Sequence, residues 1–161
     1  MTPSAEPAYA TQLAAVYGEA SQAGFGSAVF FERLKATDDL ADAALAKYRH
    51  FVGKLWAQYG EAKWMGPWKQ VYARKAGITP DIVSELRGIG DPQASASVPM
   101  VLDSIENADA ARAALAAAYD DADITELTVH NLGDGEAMSG IVVSGRRTTS
   151  GEATFLVFLM D

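Results

Sequence analysis

Along the first two-thirds of the chain, hydrophobic residues recur at three- and four-residue steps, the spacing of an amphipathic helix. The clearest run covers 40–59, with apolar positions at Leu40, Ala44, Tyr48, Phe51, Leu55 and Tyr59. Further helices are predicted over 9–20, 61–76, 80–87 and 108–119. We expect Gly66-Pro67 to interrupt the second of these and Gly88 to end the third, before a polar loop over 90–97.

Beyond residue 120 the pattern changes to short apolar runs separated by turn residues, which is typical of antiparallel strands. Three strands are predicted as a meander over 125–160, with turns at Gly133-Asp134-Gly135 and 148–151. The sequence therefore predicts an α+β fold in one domain, 1–161. Its helical N-terminal two-thirds, 9–119, would pack on one face of a C-terminal three- or four-stranded antiparallel sheet.

The last predicted strand, Ala153 to Met160, is apolar on both faces. An edge strand of this kind would offer open backbone groups and hydrophobic side chains to any neighbour. One solution is that Ser27 to Phe31, which reads equally as strand or helix, pairs beside it as a fourth strand. The other is that a second copy of the protein pairs with it or covers it in a homodimer. Burial within the fold is our preferred interpretation.

Composition excludes several classes of protein. The 161 residues include no cysteine, which rules out disulfide scaffolds, zinc ribbons and cysteine nucleophiles. The formal charge of -8 disfavours a general binder of nucleic acid or anionic membranes. No apolar stretch approaches the roughly 18 to 20 residues of a membrane span, and Met1 to Pro7 lack the basic start of a secretory signal. We therefore expect a cytoplasmic protein with no membrane association.

One stretch departs from this acidic average. Residues 47–75, called here the basic aromatic segment, carry seven Lys and Arg against one acidic residue, and they include every tryptophan. One interpretation is a binding module that holds a small anionic or aromatic ligand or an acidic protein partner. Its candidate ligand-binding residues are Arg49, His50, Lys54, Trp64, Trp68 and Lys69. In the alternative, the aromatics belong to the core and the cations pair with acidic residues of the same molecule.

The two histidines give a second hypothesis, a cofactor-independent enzyme acting on a small molecule. Either His50 or His130 would serve as its acid or base. On the predicted strand His130 shares a face with Glu126, a pairing that would orient an imidazole for proton transfer. The alternative is an exposed polar strand face. No metal is expected, because the clusters Asp38-Asp39-Asp42 and Asp120-Asp121-Asp123 lack the register of a calcium loop.

The stretch from Leu86 to Ala94 resembles the helix-hairpin-helix element of proteins that bind the DNA backbone. The resemblance implies that the turn Gly88-Ile89-Gly90 presents backbone amides to a phosphate. Asp91 departs from the pattern, because it places a negative charge in that turn. The alternative is an ordinary helix stop followed by a flexible loop, and nucleic acid is not the expected partner.

Overall fold

A computed structural model describes residues 7–20, 26–64, 68–75, 77–133 and 139–160. These ranges contain a five-stranded sheet and seven helices. The strands are β1 Gly26–Arg33, β2 Gln70–Ala73, β3 Glu126–Gly133, β4 Ser139–Arg146 and β5 Glu152–Met160. The helices are α1 Ala8–Tyr17, α2 Leu40–Val52, α3 Lys54–Tyr59, α4 Glu61–Trp64, α5 Ile82–Arg87, α6 Pro92–Leu102 and α7 Ala108–Tyr119.

All strand pairs are antiparallel, and the strand order is β1-β5-β4-β3-β2. The predicted α+β fold and its C-terminal meander are confirmed. Ser27 to Phe31 lies within β1 and pairs with β5, so that Phe30 stands opposite Phe155. Because β5 is paired on both sides within one chain, its apolar character no longer calls for a homodimer. Of the predicted first turn, Gly133-Asp134-Gly135, the last two residues lie outside the described ranges.

Helices cover both faces of the sheet, whereas the sequence predicted cover on one face only. On one face α1, α5, α6 and α7 pack on strand residues such as Val129, Val143 and Leu156. On the other, α2, α3 and α4 pack on Val142 and Phe155. Both faces of β5 are therefore buried, which accounts for its run of apolar residues.

The prediction of a helix over 61–76 is wrong beyond its first turn. Among the described residues of this range only Glu61–Trp64 is helical, and Gln70–Ala73 forms edge strand β2. Residues 65–67, which include the predicted interruption at Gly66-Pro67, lie outside the described ranges. This strand has four residues, and its pairing with β3 shifts register between Gln70 and Tyr72. A strand so short and irregular carries too little period-2 alternation to be recognised.

Two further boundaries differ from the sequence prediction. The long helix over 40–59 breaks at Gly53, whose φ of 66° a residue with a side chain rarely adopts. The predicted loop over 90–97 is mostly helix α6, which Asp91 caps by accepting hydrogen bonds from the amides of Gln93 and Ala94. None of the helices in the described ranges has the length and apolarity required to cross a bilayer.

Candidate functional site

The cations of the basic aromatic segment fall into two groups, and the first is neutralised within the chain. Lys47 Nζ lies 2.9 Å from Glu32 Oε1. Lys69 Nζ lies 2.7 Å from Asp91 Oδ2. Arg74 Nη2 lies 2.6 Å from Glu85 Oε1. For these three cations the structure shows the internal pairing that the sequence left as an alternative.

The second group consists of exposed cations, which are Arg49 and Lys54 at the end of α2 and the start of α3, and Lys75 after β2. Among the described residues none of the three has a carboxylate within 4.0 Å, so their charges face solvent. The Arg49 guanidinium lies over the buried Trp56 ring, 5.7 Å from its centroid. This cation–π contact orients the side chain and leaves its hydrogen-bond donors available.

His50 is exposed beside Arg49 in the last turn of α2. Its ring makes an edge contact with Phe30 of β1, with the ring centroids 5.9 Å apart. Only Gly53 and two buried residues separate His50 from Lys54 along the chain. We call Arg49, His50 and Lys54 the α2–α3 cationic patch.

The predicted tryptophan pair is divided between two environments. Trp64 is 1% exposed in the core, and its Nε1 donates a hydrogen bond to the Leu55 carbonyl at 3.0 Å. Trp68 is half-buried and stacks on His130 and on Tyr48, at centroid distances of 4.6 and 5.9 Å. Trp64 and Trp68 therefore do not line one open pocket, and the faces of Trp68 are used by rings of the same chain.

Tyr48 organises this region, and the sequence placed it only in the apolar face of a helix. Its hydroxyl donates to the Trp64 carbonyl at 2.9 Å and accepts from the Gly133 amide at 3.1 Å. The residue thereby joins α2 to α4 and to the end of β3. Helical periodicity predicted that Tyr48 is buried, but it carries no information about a hydroxyl bridging segments distant in sequence.

The predicted pairing of His130 with Glu126 does not occur. His130 is 4% exposed, so the expectation of an exposed polar strand face is wrong at this position. Glu126 instead accepts hydrogen bonds from Arg146 Nε and Nη2 at 2.9 and 2.6 Å. Burial lowers the pKa of His130, although the charge of Asp39 partly opposes that effect. The imidazole is thus a neutral, enclosed group.

The segment that resembles a helix-hairpin-helix element does form two helices, α5 and α6, around a short turn with buried Ile89. The expected helix end at Gly88 is confirmed, whereas α6 already begins at Pro92, so only a short turn follows in place of the expected loop. Asp91 Oδ1 accepts from the amides of Gln93 and Ala94, both at 3.0 Å. The amides at the start of α6 therefore already donate to a carboxylate of the chain itself. A phosphate at this position would be repelled by the negative charge of Asp91.

Asp91 is also tied to β3 and to the basic aromatic segment. Hydrogen bonds from Lys69, from Asn131 Nδ2 and from the Ala94 amide hold the pKa of Asp91 well below its usual range. The carboxylate is therefore charged at neutral pH and fully engaged. Lys69, predicted as a ligand-binding residue, serves this internal network in the structure.

Two cavities lined by described residues lie away from the predicted binding residues. One of about 410 Å³ opens between α1 and β1 beside Ala15 and Val29. Another of about 430 Å³ lies at the start of α2 and is lined by carboxylates that include Asp38 and Asp42. The described residues contain no group of His, Asp and Glu that would hold a metal ion.

Comparison with protein-family models, with curated proteins and with solved structures finds no match for this chain.

Proposed function

We propose that this protein is an interaction module that binds an acidic partner protein through the α2–α3 cationic patch. The observation that carries the proposal is the division of the basic aromatic segment into two groups. Lys47, Lys69 and Arg74 are paired with carboxylates of their own chain. Among the described residues Arg49, Lys54 and Lys75 have no such partner, and of these Arg49 and Lys54 lie close in sequence where α2 meets α3, whereas Lys75 follows β2.

The charge of the remaining surface favours a directed encounter. The chain carries a formal charge of -8, so a local excess of positive charge is set in an acidic molecule. An acidic partner is repelled by most of this surface and attracted by the patch, which selects one docking orientation. Arg49, held over Trp56, offers a planar fork of donors that matches a carboxylate.

The shape of the patch favours a macromolecular partner over a small ligand. Small-molecule sites are concave and bury most of the ligand surface. Arg49, His50 and Lys54 are exposed, and they line neither of the two cavities described above. An acidic side-chain cluster on another protein reaches such a surface without a cavity.

Binding is also favoured over catalysis by the surroundings of the two histidines. An acid–base role requires an imidazole that faces substrate and is oriented by a carboxylate or hydroxyl group. His50 lies on the surface against Phe30, and His130 is enclosed against Trp68. Glu126, the predicted partner of His130, is bound to Arg146.

The test compares two double variants of equal charge change. Arg49→Glu with Lys54→Glu reverses the patch, while Lys35→Glu with Lys75→Glu reverses two exposed cations elsewhere. The probe is a fluorescently labelled oligoglutamate peptide, and its anisotropy is measured on titration with the full chain. We expect the first pair to weaken binding at least about tenfold, since like charges now face each other.

The control pair should retain binding to within about threefold, as expected for charges outside the interface. Circular dichroism confirms that each variant is folded. Equal weakening by both pairs would reduce the effect to net charge and overturn the proposal. A parallel titration with free glutamate separates a small-anion site, at which the single amino acid competes with the peptide, from the extended surface proposed here.

A further inference from the structure

Three buried polar atoms lie together on the face of the sheet that α2 covers. They are Thr128 Oγ1, His130 Nδ1 and Ser144 Oγ, and none has a hydrogen-bond partner among the described residues. Ser144 is completely buried and His130 is 4% exposed. Buried polar groups in native proteins are rarely left unpaired, so three at one place call for a common explanation.

The strand register places these atoms around one point. Thr128 of β3 stands directly opposite Ser144 of β4, and His130 stands opposite Val142. Opposite residues on one face have Cβ atoms roughly 4.5 to 5.5 Å apart, and diagonal neighbours remain within roughly 8 Å. Thr128 and His130 are two apart on one strand and therefore share that face. A single small group between the three side chains is within hydrogen-bonding reach of each.

The neighbouring groups make this point neutral. The carboxylate of Glu126 and the guanidinium of Arg146 form the next cross-strand pair and neutralise each other. Burial lowers the pKa of His130, so the imidazole is uncharged at neutral pH. Trp68 covers the imidazole by stacking on it. The charge of the exposed Asp39, which also acts on His130, disfavours an anion, and burial disfavours any ion without a partner. A neutral hydrogen-bonding group meets neither penalty.

We propose that Thr128, His130 and Ser144 form a binding site for one hydroxyl group, supplied either by a bound water molecule or by a small alcohol. A hydroxyl group offers one donor and two acceptor lone pairs, as do the side chains of Thr128 and Ser144. Nδ1 of the neutral imidazole is a donor or an acceptor, according to the tautomer. Thr128 as a residue is only partly buried and lies beside the exposed Ala73 of edge strand β2. This side of the site gives the group a route from solvent.

The first measurement uses the unmodified chain. Nitrogen NMR of the His130 ring reports whether Nδ1 is hydrogen-bonded, and cross-relaxation with water reports a bound water molecule near Thr128 and Ser144. Titration with isopropanol then separates the two sources. A water cross-peak that isopropanol leaves unchanged identifies water, and a saturable shift of Nδ1 identifies an alcohol. Both results support the site.

An unbonded Nδ1 with neither a water cross-peak nor a response to isopropanol would overturn the proposal. So would direct hydrogen bonding among the three side chains themselves.

Conservative variants give an independent test, because their expected effect on stability differs between a site that holds a hydroxyl group and a site that is empty. If a hydroxyl group is bound, Ser144→Ala and Thr128→Val each remove one of its partners, and each should raise the unfolding equilibrium constant about 5- to 30-fold. If the three atoms are merely unsatisfied, the apolar replacements relieve desolvation and leave the constant unchanged or lower it. The second outcome contradicts the site even when both variants fold.

Discussion

Replacing Arg74 with methionine should lower the free energy of unfolding by about 3 to 5 kcal/mol, the cost of leaving a buried charge without its partner. Arg74 and Glu85 have side chains only 2% and 7% exposed. Arg74 Nε and Nη2 donate to the two Glu85 oxygens at 2.8 and 2.6 Å. Chemical denaturation, monitored by circular dichroism, measures the loss.

The same guanidinium ties the edge of the sheet to α7. Arg74 Nη1 donates to the carbonyl groups of Tyr119 and Ile124, both at 2.9 Å. Tyr119 is the last residue of α7, and Ile124 lies just before β3. Arg74 therefore holds the connection between α7 and β3 in place. Methionine removes all of these bonds, which is why the expected loss exceeds that of an ordinary surface ion pair.

Two controls separate the buried pair from a general effect of charge. Arg33→Met breaks an exposed pair with Glu152 and should change stability by no more than about 1 kcal/mol. Arg74→Met combined with Glu85→Met should recover part of the loss, because no unpaired charge remains. A double variant as unstable as the sum of the two single variants would contradict this account.

The Arg74–Glu85 pair also predicts the direction of a pH effect. Burial alone would raise the pKa of Glu85, but hydrogen bonds from Arg74, Tyr72 and the Asp81 amide hold it below its ordinary value. The stabilisation is therefore present above the pKa of Glu85 in the unfolded chain. It is lost as the pH falls through the lower pKa of the folded state. Replacing Glu85 should flatten this part of the stability profile.

Gly140→Ala should lower the free energy of unfolding by about 3 kcal/mol or more, or prevent β4 from pairing with β5. A Cβ atom at residue 140 would lie 1.8 Å from the Phe158 carbonyl oxygen and 2.9 Å from the Leu159 Cα. Both are backbone atoms of the interior strand β5, which cannot move without disturbing its pairing with β1 as well. Thermal and chemical unfolding measure the change.

Gly90→Ala is the matched control, because an added Cβ there meets no atom within 4 Å. It should change the free energy of unfolding by no more than about 0.5 kcal/mol. Similar losses for the two variants would mean that the close approach of β4 to β5 at Gly140 is not what requires glycine.

The sequence predicted the parts of the fold in which local pattern and burial agree. The apolar residues on both faces of Ala153 to Met160 disfavoured an open edge position, and β1 pairs with that strand along the edge that β4 leaves free, as the preferred interpretation expected. The same reasoning failed for β2, which is too short for its alternation to be visible. Apolar residues on both faces of the last strand also implied that helices cover both faces of the sheet. The prediction nevertheless placed the helices on one face only.

The candidate site was predictable only in part, for a physical reason. The local charge of residues 47–75 identified the cations, including Arg49 and Lys54. Which cations are neutralised depends on carboxylates brought close by the fold, such as Glu32 for Lys47 and Asp91 for Lys69. In the sequence, Asp91 stood out only as a negative charge in a turn that resembles a phosphate-binding element. In the structure it caps α6 and forms an ion pair with Lys69. Sequence spacing has no access to such long-range pairs.

Chemical-shift mapping of the isotope-labelled full chain with an oligoglutamate peptide tests the central claim most directly. We expect the largest shifts at the backbone amides of residues 49–54, and their loss in the Arg49→Glu, Lys54→Glu variant. Shifts centred on Gly88 to Gly90, or spread evenly over all exposed cations including Lys35 and Lys75, would contradict the proposed α2–α3 cationic patch.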